Sequence, residues 1–123
     1  MKHMQLKPDC VREVLLLIES KELDEGFMLS EIDFSVTEFS PQDYIYTFRK
    51  LHEAGYLKTQ SFMGEDMLIQ ELTFDGHQYL ETIRSPKAWS FAKEKAADLG
   101  SFSLKTLGSI AQGYIENYIK GLF

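Results

Sequence analysis

A chain of 123 residues that is 44% apolar and 26% charged can bury one ordinary hydrophobic core and leaves no room for a second full domain. Its formal net charge of −6 opposes binding driven by phosphate neutralisation alone, and its single cysteine, Cys10, excludes an internal disulfide and agrees with a reducing compartment. No apolar run approaches the roughly 18 to 20 residues of a membrane span, and Met1-Lys2-His3-Met4-Gln5 leads into a polar segment rather than a signal peptide, so the expected location is cytoplasmic, with no membrane partner.

Pro8 and Asp9 open the first predicted helix, in which Val11, Val14, Leu15, Leu17 and Ile18 recur at helical spacing, with an end expected near Leu23. Cys10 falls inside it and reads as helix packing rather than a reactive thiol, since no histidine or basic cluster lies beside it in sequence. Asp24-Glu25-Gly26 is a solvated turn. Ile32, Phe34 and Val36 then alternate with Glu31, Asp33, Ser35 and Thr37, the period of a half-exposed strand.

Ser40-Pro41-Gln42-Asp43 carries the signals of a helix start: a hydroxyl for the N-cap, proline at the first helical position and an acid in the first turn. Gly55 is placed to end that helix in the left-handed conformation. Tyr44, Ile45, Phe48 and Leu51 share its inner face, with His52 at the edge, while Gln42, Tyr46, Arg49, Lys50 and Glu53 face outward, flanked by Asp43 and Thr47. Such an outer face suits a DNA major groove, with Gln42 or Arg49 reading base edges and Lys50 on a phosphate, or is a mixed-charge surface in water.

Leu57–Phe62 and Met67–Leu72 are predicted to pair as a hairpin through Met63-Gly64-Glu65-Asp66, with Lys58 available as a phosphate contact. Two acids at the tip run against a DNA-binding hairpin, whose tip ordinarily carries lysine or arginine beside the minor groove. Phe62 and Met63 there suit either a protein contact or packing on the carboxy-terminal helices. Thr73 is the predicted N-cap of the next helix, with Phe74, Tyr79, Leu80 and Ile83 as core.

Ser85-Pro86 starts a further helix in which Trp89, Ala92, Ala96 and Leu99 recur at spacings of three and four, stopped by Gly100. A last helix carries a wide apolar stripe of Leu104, Leu107, Ala111, Tyr114, Ile115, Tyr118, Ile119 and Leu122. That stripe must be covered, by the chain itself or by a second copy through contacts such as Tyr114 and Tyr118; Lys105 and Lys120 are too few for a lipid surface.

A helix ending in Ala54-Gly55-Tyr56-Leu57, followed by a hairpin and Leu72-Thr73-x-x-Gly76-His77, resembles winged-helix proteins, among them many bacterial transcriptional regulators. The strand at 31–37 departs from the usual order, which places a short helix there. Adding the Met1-Lys2 start, Val14-Leu15-Leu16-Leu17-Ile18-Glu19, Leu51-x-x-Ala54-Gly55, Ile83-Arg84-Ser85-Pro86-Lys87-Ala88-Trp89 and Gly121-Leu122-Phe123, nearly the whole chain resembles a family of short, uncharacterised bacterial and prophage proteins. Members of that family often carry histidine where this chain has Thr47, which bears on any role tied to that side chain. The resemblance implies an α+β fold, a winged-helix-like domain over residues 1–84 (helix, strand, helix, two-stranded wing, helix) and two added helices over 85–123, packed on it or dimerising. It implies a regulatory or phage-related role and assigns no catalytic residue.

The sequence offers little to catalysis. His3, His52 and His77 are far apart and no His/Cys/Asp/Glu set has metal-ligand spacing, so neither a metal nor another cofactor is expected. No phosphate loop, dinucleotide fingerprint or nucleophile elbow occurs, and the eight glycines read as punctuation at turns and helix ends. Glu65, Asp66, Glu71 and Asp75 read as solvated surface, and His77 beside Asp75 as a helix-end hydrogen bond. An enzyme is not expected. Two functions remain: a DNA-binding transcriptional regulator of bacterial or prophage origin that holds double-stranded DNA through Gln42, Tyr46, Arg49, Lys50 and Lys58, and an interaction module for a phage or host protein that binds no nucleic acid.

Overall fold

The computed structural model describes residues 5–23, 25–33, 38–61 and 66–122. Among these residues it is a mixed α+β fold of five helices and a small antiparallel sheet. In chain order these are α1 (Pro8–Glu19), β1 (Phe27–Met28), a 3-10 turn (Leu29–Glu31), α2 (Pro41–Glu53), β2 (Leu57–Ser61), β3 (Met67–Leu72), α3 (Phe74–Ile83), α4 (Pro86–Leu99) and α5 (Leu104–Leu122). Two compact units divide the chain between His77 and Gln78.

In the first unit α1 buries Cys10, Val11, Val14, Leu15 and Ile18 and packs on α2 and β3. It stops at Glu19 rather than near Leu23: Ser20 Oγ donates to the Leu17 carbonyl at 2.6 Å, and Leu23 is 80% exposed, so no buried contact draws the helix onward. Gly26, at φ +63°, then turns the chain into β1, where Phe27 pairs with Ile69 and Met28 with Leu68. Phe27 is buried with its ring edge-on to Phe48, centroids 6.2 Å apart.

The strand expected over 31–37 is therefore displaced. Its first residue, Glu31, ends the 3-10 turn, Ile32 and Asp33 lie outside any strand, and 34–37 fall outside the described residues. The sheet takes Phe27 and Met28 instead because they present a buried aromatic to α2, and Asp66 locks the chain just beyond them. Its carboxylate accepts from Ser30 N at 3.1 Å and Ser30 Oγ at 2.7 Å. The sheet order is β1-β3-β2, with Leu57 opposite Leu72 and a bulge between Lys58 and Thr59.

The end of α2, the start of β2 and the start of α3 meet at one point. Gly55, at φ +83°, closes α2; Thr73 Oγ1 donates to the Gly55 carbonyl at 2.6 Å and accepts from Gly76 N at 3.1 Å, making Thr73 the N-cap of α3. Gly76 is not punctuation: a Cβ there would overlap the Tyr56 carbonyl oxygen. Phe74, expected in the core, is 76% exposed because it stands two positions from Gly76, on the opposite side of the helix.

In the second unit Ser85 caps α4 by accepting from Ala88 N at 3.3 Å, and Ala88, Trp89, Ala92 and Ala96 are buried. Leu99 continues that spacing yet is 70% exposed, in the last turn before the chain reverses at Gly100, φ +73°. Helix α5 packs on α4, with Phe91 against Tyr114 at 5.1 Å. Tyr79 Oη donates to the Leu104 carbonyl at 2.6 Å while its ring edge lies 3.0 Å from where a Cβ on Gly108 would stand, so Gly108 is also a packing glycine. The apolar stripe is covered only along its first half: Leu107 and Ala111 are buried, and Tyr118, Ile119 and Leu122 are exposed.

Two glycines inside helices thus behave oppositely. Gly76→Ala is expected to destabilise by about 1–3 kcal/mol, as overpacking against fixed backbone does. Gly113→Ala, with nothing within 4 Å of its Cβ, is expected to stabilise by about 0.4–1 kcal/mol. Urea unfolding of both variants checks this; a destabilised Gly113→Ala or a neutral Gly76→Ala would contradict the packing described.

Candidate nucleic-acid interface

The face of α2 that meets solvent is set by how the helix starts. Ser40 Oγ accepts from Asp43 N at 3.2 Å and Asp43 Oδ2 accepts from Ser40 N at 3.3 Å, a reciprocal capping box. Lys7, the residue before α1, donates Nζ to the same Asp43 Oδ2 at 3.0 Å. The Lys7 hydrogen bond, helped by Ser40 against the opposing effect of burial, holds the Asp43 carboxyl below the usual carboxylate range.

One turn on, Thr47 is buried rather than on the solvent flank. Its Oγ1 donates to the Asp43 carbonyl at 2.7 Å and lies 3.3 Å from Cys10 Sγ, so the hydroxyl is satisfied inside the α1–α2 contact and needs no water. Burial raises the Cys10 thiol to about 11, the state of a packing residue rather than a nucleophile. Tyr44, Phe48 and Leu51 complete the inner face.

Gln42 and Arg49 are exposed on the outer face, and Tyr46 and Lys50 half-exposed. Lys50 Nζ is 2.9 Å from Glu53 Oε2 and 5.4 Å from the centroid of the Tyr46 ring; the Glu53 hydrogen bond raises the lysine's affinity for its proton. On β2, Lys58 Nζ is 3.1 Å from Glu71 Oε1, its cross-strand partner on β3. His52 Nδ1 and Thr59 Oγ1, 3.0 Å apart, fasten the end of α2 to β2 beside Lys58. Among the described residues Arg49 has no ion-pair partner, so it is the cation of this surface that is not already engaged.

Four of the five residues singled out for DNA therefore share one helix face, and the fifth stands on the adjoining strand. Glu53 and Glu71, which hold two of the three bases, were legible only as spacing: i,i+3 on a helix for one, and a register that sequence does not fix for the other. Asp66, read as a charge at the hairpin tip, is folded back onto Ser30 and Met67 N, and the Ser30 hydroxyl foremost lowers its pKa. Phe62 and Met63 lie outside the described residues. Tyr114 is half-buried against Phe91, and Tyr118 is exposed. Among the described residues no group of three or more His, Cys, Asp or Glu could hold a metal ion, and no helix is long and apolar enough to cross a membrane.

Residues 5–103 match a family described as hypothetical protein (DUF2513). The chain belongs to the DUF2513 family. The match covers α1 through α4 and stops just short of α5. An uncharacterized protein of Haemophilus influenzae is 30% identical to the chain over 118 residues, which cover 90% of this chain and 95% of that one. No solved structure matches the chain.

The capping carboxylate gives a pH test. A carboxyl whose folded pKa lies below its unfolded value of about 3.9 adds stability that is complete above that pH and is lost as pH falls through the folded value. Asp43→Asn, which keeps an acceptor for Ser40 N, is expected to unfold at a lower temperature than the wild type at pH 7. The gap should close as pH drops from about 4 toward 2. Thermal unfolding across that range reads it, and a gap independent of pH would show that the charge does not matter.

Proposed function

We propose that this DUF2513 chain is a winged-helix DNA-binding protein, a bacterial or prophage transcriptional regulator, that docks the outer face of α2 in the major groove. The observation that carries the proposal is that α2, with its inner face locked into the core, presents Gln42, Tyr46, Arg49 and Lys50 together on the other. The order helix, strand, helix, hairpin and the sheet arrangement β1-β3-β2 support the fold assignment. In this account Arg49 reads a base edge, with guanine the best match for its two-pronged donor geometry, and Lys50 and Lys58 meet phosphates. The chain acts as a binder, with no catalytic step.

Electrostatics set the expected strength. Residues 1–77 hold fifteen acids against seven bases, so the field of the first unit as a whole repels a duplex and affinity must come from these few contacts. The pairs Lys50–Glu53 and Lys58–Glu71 are solvent-exposed and screened, a small obstacle to exchanging a carboxylate for a phosphate. The same acidity favours a second reading, an interaction module that docks a protein of phage or host and ignores DNA.

Fluorescence anisotropy of a labelled mixed-sequence duplex at low salt separates the two. Two phosphate-reaching lysines predict weak binding whose log–log salt slope is near −2, from about −0.9 per neutralised phosphate. Arg49→Glu/Lys50→Glu should abolish it. No binding by about 100 μM protein, the weak end of ordinary non-specific affinity, would reject the DNA proposal in favour of the protein-interaction reading.

A further inference from the structure

On the other side of α2 from its outer face, α1, β1 and the 3-10 turn enclose a cleft of about 550 Å3, within the roughly 300–1,000 Å3 of small-molecule sites. Leu16, Leu17, Phe27, Ile32 and Tyr44 supply its apolar wall. Its charged groups are Glu13, Glu31, Asp33 and Lys21, three carboxylates against one ammonium. Among the described residues neither Glu13 nor Glu31 is held by an ion pair or hydrogen bond. The ammonium of Lys21 sits 5.3 Å from the centroid of the Phe27 ring, so the aromatic wall already accommodates a cation of the chain's own.

These features select among ligands. An anion would meet three carboxylates and one lysine already seated on an aromatic face. A neutral hydrocarbon would cover the wall but leave the charges of Glu13 and Glu31 without a counterion. We infer that the cleft binds a small amphipathic organic cation, an ammonium or guanidinium group on a hydrocarbon body. The body lies on Leu16, Leu17 and Ile32, and the cation is directed to Glu13 and Glu31. The inference does not depend on DNA binding, since no residue of the outer α2 face lines the cleft.

The test uses the full chain with labelled Leu and Ile methyl groups and three probes of equal length: n-hexylammonium, n-hexanol and n-hexanoate. Hexylammonium is expected to shift the Leu16, Leu17 and Ile32 methyl resonances saturably, binding about tenfold tighter than the other two, the order that one to two part-exposed charge contacts beside an apolar wall provide. Glu13→Gln/Glu31→Gln should weaken hexylammonium about tenfold and leave hexanol unchanged. Lys21→Gln, which removes the competing cation, should tighten it. No saturable shift by about 20 mM, equal binding of the three probes, or indifference to the double substitution would each overturn the inference.

Discussion

Asp43 ties the starts of two helices of the first unit together. Its carboxylate takes the backbone N–H of Ser40 and the ammonium of Lys7, its own N–H is capped by Ser40, and its carbonyl takes the Thr47 hydroxyl. The starts of α1 and α2 are thereby tied at one point, and the rotation of α2 about its axis is fixed with them. With that rotation set, Tyr44, Thr47, Phe48 and Leu51 must face inward and Gln42, Tyr46, Arg49 and Lys50 outward. A turn of 100° would bring buried aromatics into water at about 1.5–3 kcal/mol each, so the outer face is as firmly specified as the core.

How much of this could be read in advance follows from where the controlling interactions lie. Local signals were sufficient for α2: Ser40 and Pro41 begin it and Gly55 ends it within one stretch of chain, and the heptad-like spacing of Tyr44, Phe48 and Leu51 names its buried side. Long-range partners were not legible. Thr47 is buried because Cys10, 37 positions earlier, lies against it. The edge strand falls at Phe27–Met28 rather than on the alternating residues after Glu31 because Asp66, 36 positions away, captures Ser30 and bends the backbone. Leu99 kept the right spacing but sits at a helix end, where periodicity continues beyond the surface available to cover it, whereas Phe74 lies on the opposite side of its helix from the packed face.

Of the candidate interface, the set of outward residues was legible and their electrostatic state was not. Composition counts Lys50 and Lys58 as two positive charges, whereas the fold sets each against a carboxylate. That changes the character of the surface from a basic patch to one guanidinium without an ion-pair partner among the described residues, set beside neutralised pairs and flanked by an amide and an aromatic ring. Such a surface suits geometric recognition over indiscriminate attraction to phosphate, which is how the proposed docking of α2 is compatible with an acidic chain. The family match ends before α5, so the residues that build this surface all lie in the part that DUF2513 members share.

The central claim, that the outer face of α2 is where duplex DNA docks, is tested most directly by amide-resolved NMR of the full chain titrated with a mixed-sequence duplex at low salt. The account predicts the largest shifts at Gln42, Tyr46, Arg49, Lys50 and Lys58, with Tyr44 and Phe48 little changed. Shifts confined to other surfaces, or none at all, would contradict it.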